Sequence, residues 1–293
     1  MGPKVRKASG QEENFDEGKI VSSLKRAGVS QALAVKTAAR VVKIMDKRVT
    51  SNDVYEATLA ELRQAEPSLA ARYSLKKAIM RMGPSGYPFE QYMGAVLQQY
   101  GYQTSIGQLV AGECVQHEVD VVADLGETRN LIECKYHNQP GTRSDVKVAL
   151  AAYARYLDIA QTDGRDYRVW VVTNTKVTSD AAAYGKCVGM KIVAWRYPSR
   201  GNLAQLIEAK GAYPATVLNA VGMEEWQLMS AQGIVLLSQV AQLTADQLQQ
   251  QTKVSFKSAQ KIQQEAQQLA SLFQEIPAPG AGMGATSRLA KAA

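Results

Sequence analysis

Two apolar segments that carry charge in mid-run constrain this chain more than any other feature. The first reads His117-Glu118-Val119-Asp120-Val121-Val122-Ala123 and the second Leu131-Ile132-Glu133-Cys134-Lys135-Tyr136. Between them Asp124-Leu125-Gly126-Glu127-Thr128-Arg129-Asn130 is polar and holds a glycine, as a hairpin connection requires. Side chains alternate across a strand, so Ile132, Cys134 and Tyr136 share one face, with Glu133 and Lys135 on the other. In the first strand Val119 and Val121 share a face, and Glu118 and Asp120 oppose them. Pairing as a hairpin lets Asp120, Glu133 and Lys135 converge on one side. Two carboxylates and an ammonium there suit a hard divalent cation and a phosphodiester. Mg²⁺ takes oxygen ligands near ~2.1 Å, keeps several waters, and is held by one or two carboxylates plus substrate phosphate. The lysine can orient or deprotonate the attacking water, or offset the charge that builds on the phosphorane. The same spacing also describes a salt-bridged, half-exposed hairpin, because charges on an outer strand face are ordinary.

Asp120, followed after a hairpin by Glu133-Cys134-Lys135, resembles the PD-(D/E)XK nuclease motif, in particular its Mrr-like restriction endonuclease branch. The flanking segments keep that family's order. Ahead of the hairpin Phe89, Met93, Val96, Leu97 and Tyr100 form a helical stripe that Gly101 closes. Glu90 lies in its first turn, where the helix dipole favours an anion; the resemblance implies that it joins the metal site. A strand around Tyr102 to Val110 precedes the hairpin, and a helix over 146–157 follows it. Tyr167-Arg168-Val169-Trp170-Val171-Val172-Thr173-Asn174 reads as a strand buried on both faces. A helix from about Ser179 to Cys187 and a last strand, 190–195, complete an α-β-β-β-α-β-α-β order. The fold class expected is α/β, a restriction-endonuclease-like mixed sheet flanked by helices. His117, His137 and Tyr136 are placed outside the core site, the tyrosine as packing. Gln139 and Arg143 are candidates for holding DNA backbone.

Charge is distributed unevenly. Residues 1–83 hold 16 Lys+Arg against 9 Asp+Glu, 84–210 hold 13 of each, and 211–293 hold 5 of each, so the net +7 sits in the first segment. A basic chain points to nucleic acid, yet the segment with the candidate site is neutral, and the basic segment suits another phosphate ligand. It opens with a short strand, a glycine turn and a second strand, then a helix capped by Asp16. Ile20, Leu24 and Ala27 share one helical face, and Val35, Ala38, Ala39, Val42 and Met45 another. Thr50-Ser51-Asn52-Asp53 reads as the N-cap of a third helix, and a fourth runs from about Ser68 to Met82 before Gly83-Pro84. Val5, Lys7, Gly10, Phe15, Lys19 and Ile20 match the pattern of the ATP-cone, which this hairpin-plus-four-helix segment resembles over about residues 4–83; Ala8 and Ser9 stand where that family has Arg-Asp. The resemblance implies an ATP or dATP effector whose phosphates meet Lys7 and Lys19, with Thr50 near the nucleotide and Lys76, Lys77 and Arg81 added from the last helix. No Gly-x-x-x-x-Gly-Lys-Ser/Thr loop is present, so an ATPase role is not expected.

From Gly201 the chain is rich in Gln, Ala and Leu and shows two similar helical units, 213–234 and 236–262. The second resembles a helix-hairpin-helix, with Leu243-Thr244-Ala245-Asp246-Gln247-Leu248, a turn at Lys253-Val254-Ser255-Phe256-Lys257 and a following helix, but without the usual Gly-x-Gly. That motif grips phosphates through backbone amides and lysines; plain packing or dimerisation fits the segment as well. At 293 residues and 46% hydrophobic there is room for such a series: a cone over 1–83, a nuclease domain over 84–200, a helical domain over 201–276, and a disordered tail over 277–293. No apolar run approaches the ~18 residues of a membrane span, and no leader pattern is seen. Cys114, Cys134 and Cys187 have no metal spacing and are expected to be reduced core thiols of a cytoplasmic protein. The expectation is a Mg²⁺- or Mn²⁺-dependent endodeoxyribonuclease, a homo-oligomer (dimer or higher) acting on DNA under nucleotide control. Asp120 and Glu133 would ligate metal, Lys135 would act on water and Glu90 would complete the shell. The alternatives are a non-catalytic, nucleotide-responsive DNA-binding protein and a structure-specific junction resolvase.

Overall fold

A computed structural model describes residues 4–7, 11–45 and 48–274. Ala8, Ser9 and Gly10 of the first turn, and the tail expected from residue 277, lie outside the described residues. The chain divides into two compact units. One holds the residues up to Leu75 with the end of the last helix from Ser271, and the other runs from Lys76 to Ala270.

In the first unit β1 (Lys4–Arg6) pairs antiparallel with β2 (Glu12–Asn14), and α1 (Glu17–Arg26) follows. The Asp16 carboxylate caps α1 by accepting from Gly18 N at 2.9 Å. Then come α2 (Gln31–Ile44), β3 (Arg48–Thr50), α3 (Ser51–Ala65) and α4 (Pro67–Met80). Strand β3 is an addition to the expected hairpin. It lies parallel to β1 with Thr50 opposite Arg6, and three residues are too few for any periodicity to reveal it. Helix α2 turns a different face inward from the one expected: Ala34, Thr37, Ala38 and Val41 are buried, whereas Val35 is 45% exposed. The alanine and valine positions of α2 make two neighbouring stripes nearly equivalent. The core gathers Ile20, Leu24, Val29, Ala38, Val41 and Leu62. Thr50 caps α3 reciprocally: its hydroxyl accepts from Asp53 N at 3.1 Å, and Asp53 Oδ2 accepts from Thr50 N at 2.7 Å.

The second unit carries α5 (Tyr87–Gln98), β4 (Gln103–Ala111), β5 (Gln116–Leu125), β6 (Thr128–Lys135), β7 (Arg143–Ser144), α6 (Val146–Ile159), β8 (Asp166–Thr173), β9 (Lys176–Val177), α7 (Ser179–Cys187) and β10 (Lys191–Val193). Its sheet has the order β10-β8-β6-β5-β4. Strands β4, β5 and β6 are antiparallel, and β6, β8 and β10 are parallel, so the sheet is mixed as expected. The short pair β7–β9 lies outside it. Helix α5 ends near Gly101, which takes φ +88, a value that glycine tolerates without strain. Helix α6 packs Ala149 and Ala152 on Val169 and Val171, and Ile159 on Leu131 and Tyr167.

Helices α8 (Leu203–Ala209), α9 (Met223–Ser230), α10 (Leu237–Gln242), α11 (Ala245–Thr252) and α12 (Phe256–Gln274) complete the chain. Helix α9 ends before Gly233 (φ +70) and α11 before Lys253 (φ +66), so each hairpin turns through a left-handed residue. Trp226, on α9, is 1% exposed and donates from Nε1 to Met82 O at 3.0 Å. Arg81 donates to Thr216 O at 2.8 Å and to Val221 O. Arg81 and Lys76, which donates to Asn174 O, are thus held by backbone carbonyls. Cys134 is buried as expected, but Cys114 and Cys187 are exposed, and all three are free thiols. Among the described residues no helix is long and apolar enough to cross a membrane.

Candidate active site

An aspartate in mid-strand removes apolar area from a sheet, and at Asp120 the ladder gives way. Between the pairs Ile106↔Val121 and Gln108↔Val119 the register skips Gly107 and Asp120, and Gly107 takes φ +60. On the other side the last pair joining β5 to β6 is Val121↔Ile132. Beyond it the Cys134 N–H donates 2.7 Å to Asp120 Oδ2, so a carboxylate stands where a backbone carbonyl would. The β4–β5 register is the same on both sides of the gap, so no residue is inserted. Val119 and Val122 nevertheless share the cluster that packs on α6, where strict alternation would put them on opposite faces.

Continuing the antiparallel register by one step sets Asp120 opposite Glu133, and Lys135 follows two residues on, exposed at the end of β6. Glu133 is bound by a residue absent from the expected set: Arg155 Nη1 donates to Glu133 Oε2 at 2.6 Å. Its signal was present in the sequence, because Arg155 falls on the Ala149–Ala152–Ile159 stripe of α6, where a charge is out of place unless it has a partner. Glu90 lies in the first turn of α5, half-buried.

These acids influence one another. Burial, and then the Glu133 charge, raise Asp120 to about 6, against the opposing pull of the Cys134 N–H, Arg155 and Lys135. Burial, followed by the charges of Asp120, Glu118 and Glu133, raises Glu90 to about 7. The buried Cys134 thiol is raised well above its ordinary value by desolvation and by the same three acids, Asp120, Glu90 and Glu133. Glu90, Asp120 and Glu133 therefore share one electrostatic neighbourhood, and Lys135 reaches Asp120. Carboxylates that repel one another beside a charged partner fit a hard divalent cation, whose charge relieves the repulsion. Among the described residues no three His, Cys, Asp or Glu side chains converge on one metal position, so Glu90 does not join Asp120 and Glu133 in a formed three-acid set as expected.

A pH signature follows from the burial of Glu90 and the acids around it. A carboxyl with a raised pKa in the fold contributes stability that is complete below its unfolded value, near ~4.3 for Glu, and lost as pH rises through the folded value. For Glu90 that window ends at about 7. Glu90→Gln is expected to melt about 2–4 °C above wild type at pH 8 in EDTA, the equivalent of ~1 kcal/mol after solvent screening. The difference should vanish near pH 4.5. Scanning calorimetry across that range checks it, and equal melting temperatures at pH 8 would contradict the crowding.

The two histidines are used structurally. His117 Nε2 lies 2.7 Å from Asp158 Oδ2, whose oxygens also accept from Cys114 N and Val115 N. This network holds the β4–β5 turn and depresses Asp158 to about 2. His137 Nε2 is 2.9 Å from Ser144 Oγ. Tyr136 packs on Phe89 with ring centroids 5.7 Å apart, in line with its expected packing role.

In the first unit Lys7 and Lys19 are brought together: both ammoniums lie 2.8 Å from Glu13 Oε2. Glu13 is held below the usual carboxylate range by Lys19 and then Lys7. The Thr50 hydroxyl, besides capping α3, donates to Asp53 Oδ2 at 2.8 Å.

Comparison with known proteins bears on all three segments. Profiles match the ATP cone domain over residues 3–80, a restriction endonuclease domain of the Mrr type over residues 82–207, and the AF1548-like C-terminal domain over residues 213–270. An uncharacterized protein of Archaeoglobus fulgidus is 34% identical over 177 residues, 60% of this chain and 99% of its own length. The crystal structure of AF1548, a protein of unknown function, aligns with a TM-score of 0.57 at 32% identity, over 64% of this chain and 99% of that one. With a match over nearly the whole of these two relatives, the chain belongs to their family and joins an ATP cone domain, a restriction endonuclease domain and an AF1548-like C-terminal domain.

Proposed function

We propose that this protein is a divalent-metal-dependent endodeoxyribonuclease whose activity is governed by ATP or dATP bound to its cone. What supports the reading is that Asp120, held by the Cys134 amide where the β5–β6 pairing ends, feels the charges of both Glu133 and Lys135. Asp120 and Glu133 would hold Mg²⁺ or Mn²⁺. Bound there, the ion supplies Lewis-acid polarisation of a phosphoryl oxygen and a more acidic water. The chain's own part is positional. The Cys134 amide fixes Asp120, and Arg155 orients Glu133. Lys135, exposed beside them, orients the attacking water and offsets charge on the pentavalent phosphorus. A water oxygen joins phosphorus as one of its protons passes to solvent, one P–O ester bond breaks, and the leaving oxygen takes a proton from solvent.

One observation favours a non-catalytic reading: at 2.6 Å from Arg155, the Glu133 carboxylate already has a cationic partner. Incubation with supercoiled plasmid and with four-way junctions, in Mg²⁺ or EDTA and with or without dATP, separates the alternatives. Mg²⁺-dependent nicking that responds to dATP is expected. DNA binding without cleavage under every condition would leave a nucleotide-responsive binding protein, and cleavage confined to junctions a resolvase.

A further inference from the structure

Strands β6, β8 and β10 are parallel, so they end at one edge of the sheet, and basic side chains collect there. Lys135 ends β6, and Lys176 opens β9 just after β8 with Arg143 of β7 as its register partner. Arg196 follows β10. Lys76 donates to Asn174 O and lies 4.7 Å from the centre of the Trp195 ring. Electrostatic influence links them. Burial and the charges of Arg196 and Lys176 bring Lys76 down to about 8, while burial and the charges of Lys135 and Lys76 lower His137.

Lys135, Arg143, Lys176 and Arg196 are exposed, and among the described residues none of them forms an ion pair. At the opposite end of β8, by contrast, Arg165 pairs with Asp163 and Arg168 with Asp166. The nearby acids are Asp120 and Glu133 beside Lys135, Asp145, which caps α6 by accepting from Lys147 N, and Asp180, in the first turn of α7 beside Ser179 Oγ. Like charges gathered without ion-pair partners raise the energy of the free protein, and a polyanion lowers that penalty.

We propose that this edge is a track for the nucleic-acid backbone beyond the scissile phosphate, with Arg143, Lys176 and Arg196 meeting neighbouring phosphates and Lys76 supporting them from beneath. The assignment rests on reading the Asp120–Glu133–Lys135 corner as a phosphodiester site and extends it to the strand that enters it.

Fluorescence anisotropy of the full chain with a labelled DNA duplex, in EDTA and over a salt series, tests the track without cleavage. The triple variant Arg143→Gln/Lys176→Gln/Arg196→Gln is expected to bind at least ~10-fold more weakly at low salt. Its slope of log affinity against log salt should be shallower by about 2–3. Arg165→Gln/Arg168→Gln should match wild type. Unchanged affinity and slope in a triple variant with wild-type circular dichroism would overturn the proposal. Wild-type hydrolysis of bis(p-nitrophenyl) phosphate in Mn²⁺, read in parallel, reports on the corner alone. Weakened duplex binding supports the track even where that hydrolysis is absent, and in that case only the catalytic reading fails.

Discussion

Lys135→Ala is expected to lower Mg²⁺-dependent DNA cleavage by about 10³-fold, the scale seen when one stabiliser of transition-state charge is removed, while the melting temperature changes little. The two halves of that expectation have separate causes. Lys135 is exposed and forms no ion pair among the described residues, so truncating it leaves no buried partner unsatisfied. Its charge nevertheless reaches Asp120, so it stands beside the place where negative charge would build. Plasmid nicking rates, with circular dichroism as the control for folding, decide it. A variant that cuts at the wild-type rate would remove Lys135 from the chemistry. Arg155→Ala should behave differently. Deleting a partner held at 2.6 Å leaves Glu133 unpaired, and both activity and stability should fall.

The second large effect concerns the cone. Replacing Lys7 and Lys19 together by alanine is expected to weaken dATP binding by about 100-fold, the sum of two charge-assisted hydrogen bonds of ~1.5 kcal/mol each. The two ammoniums already meet at a single Glu13 oxygen, so their separation matches a ligand with closely spaced anionic oxygens. In the free protein these exposed pairs contribute little to stability, so the double variant should fold normally. Isothermal titration calorimetry with ATP and dATP on the full chain measures the loss. Wild-type affinity in the double variant would place the nucleotide elsewhere.

Much of this was legible because it rests on short-range pattern. The polar Asp124–Asn130 connection marks the hairpin, and its ends are tied by the Arg129–Asp124 pair at 2.7 Å. The apolar run Val169–Thr173 is buried throughout, as a strand between two layers must be. Alternation within one hairpin was enough to group Asp120, Glu133 and Lys135 as candidates. What alternation could not supply was the gap in pairing at Asp120, which faces Gly107 (φ +60) on the neighbouring strand. Arg155 lies 22 residues beyond Glu133, and only the crossover of α6 joins them. Lys76 and Arg81 had a plausible use in a nucleotide site. Their partners, Asn174, Thr216 and Val221, stand 98 to 140 residues away, beyond the reach of local reading.

The most direct measurement of the central claim is an anomalous difference map from crystals soaked in Mn²⁺. A peak ~2.1–2.2 Å from carboxylate oxygens of both Asp120 and Glu133 is expected, absent in Asp120→Asn crystals treated alike. A map without density there, with Asp120 still on the Cys134 amide and Glu133 still on Arg155, would contradict it.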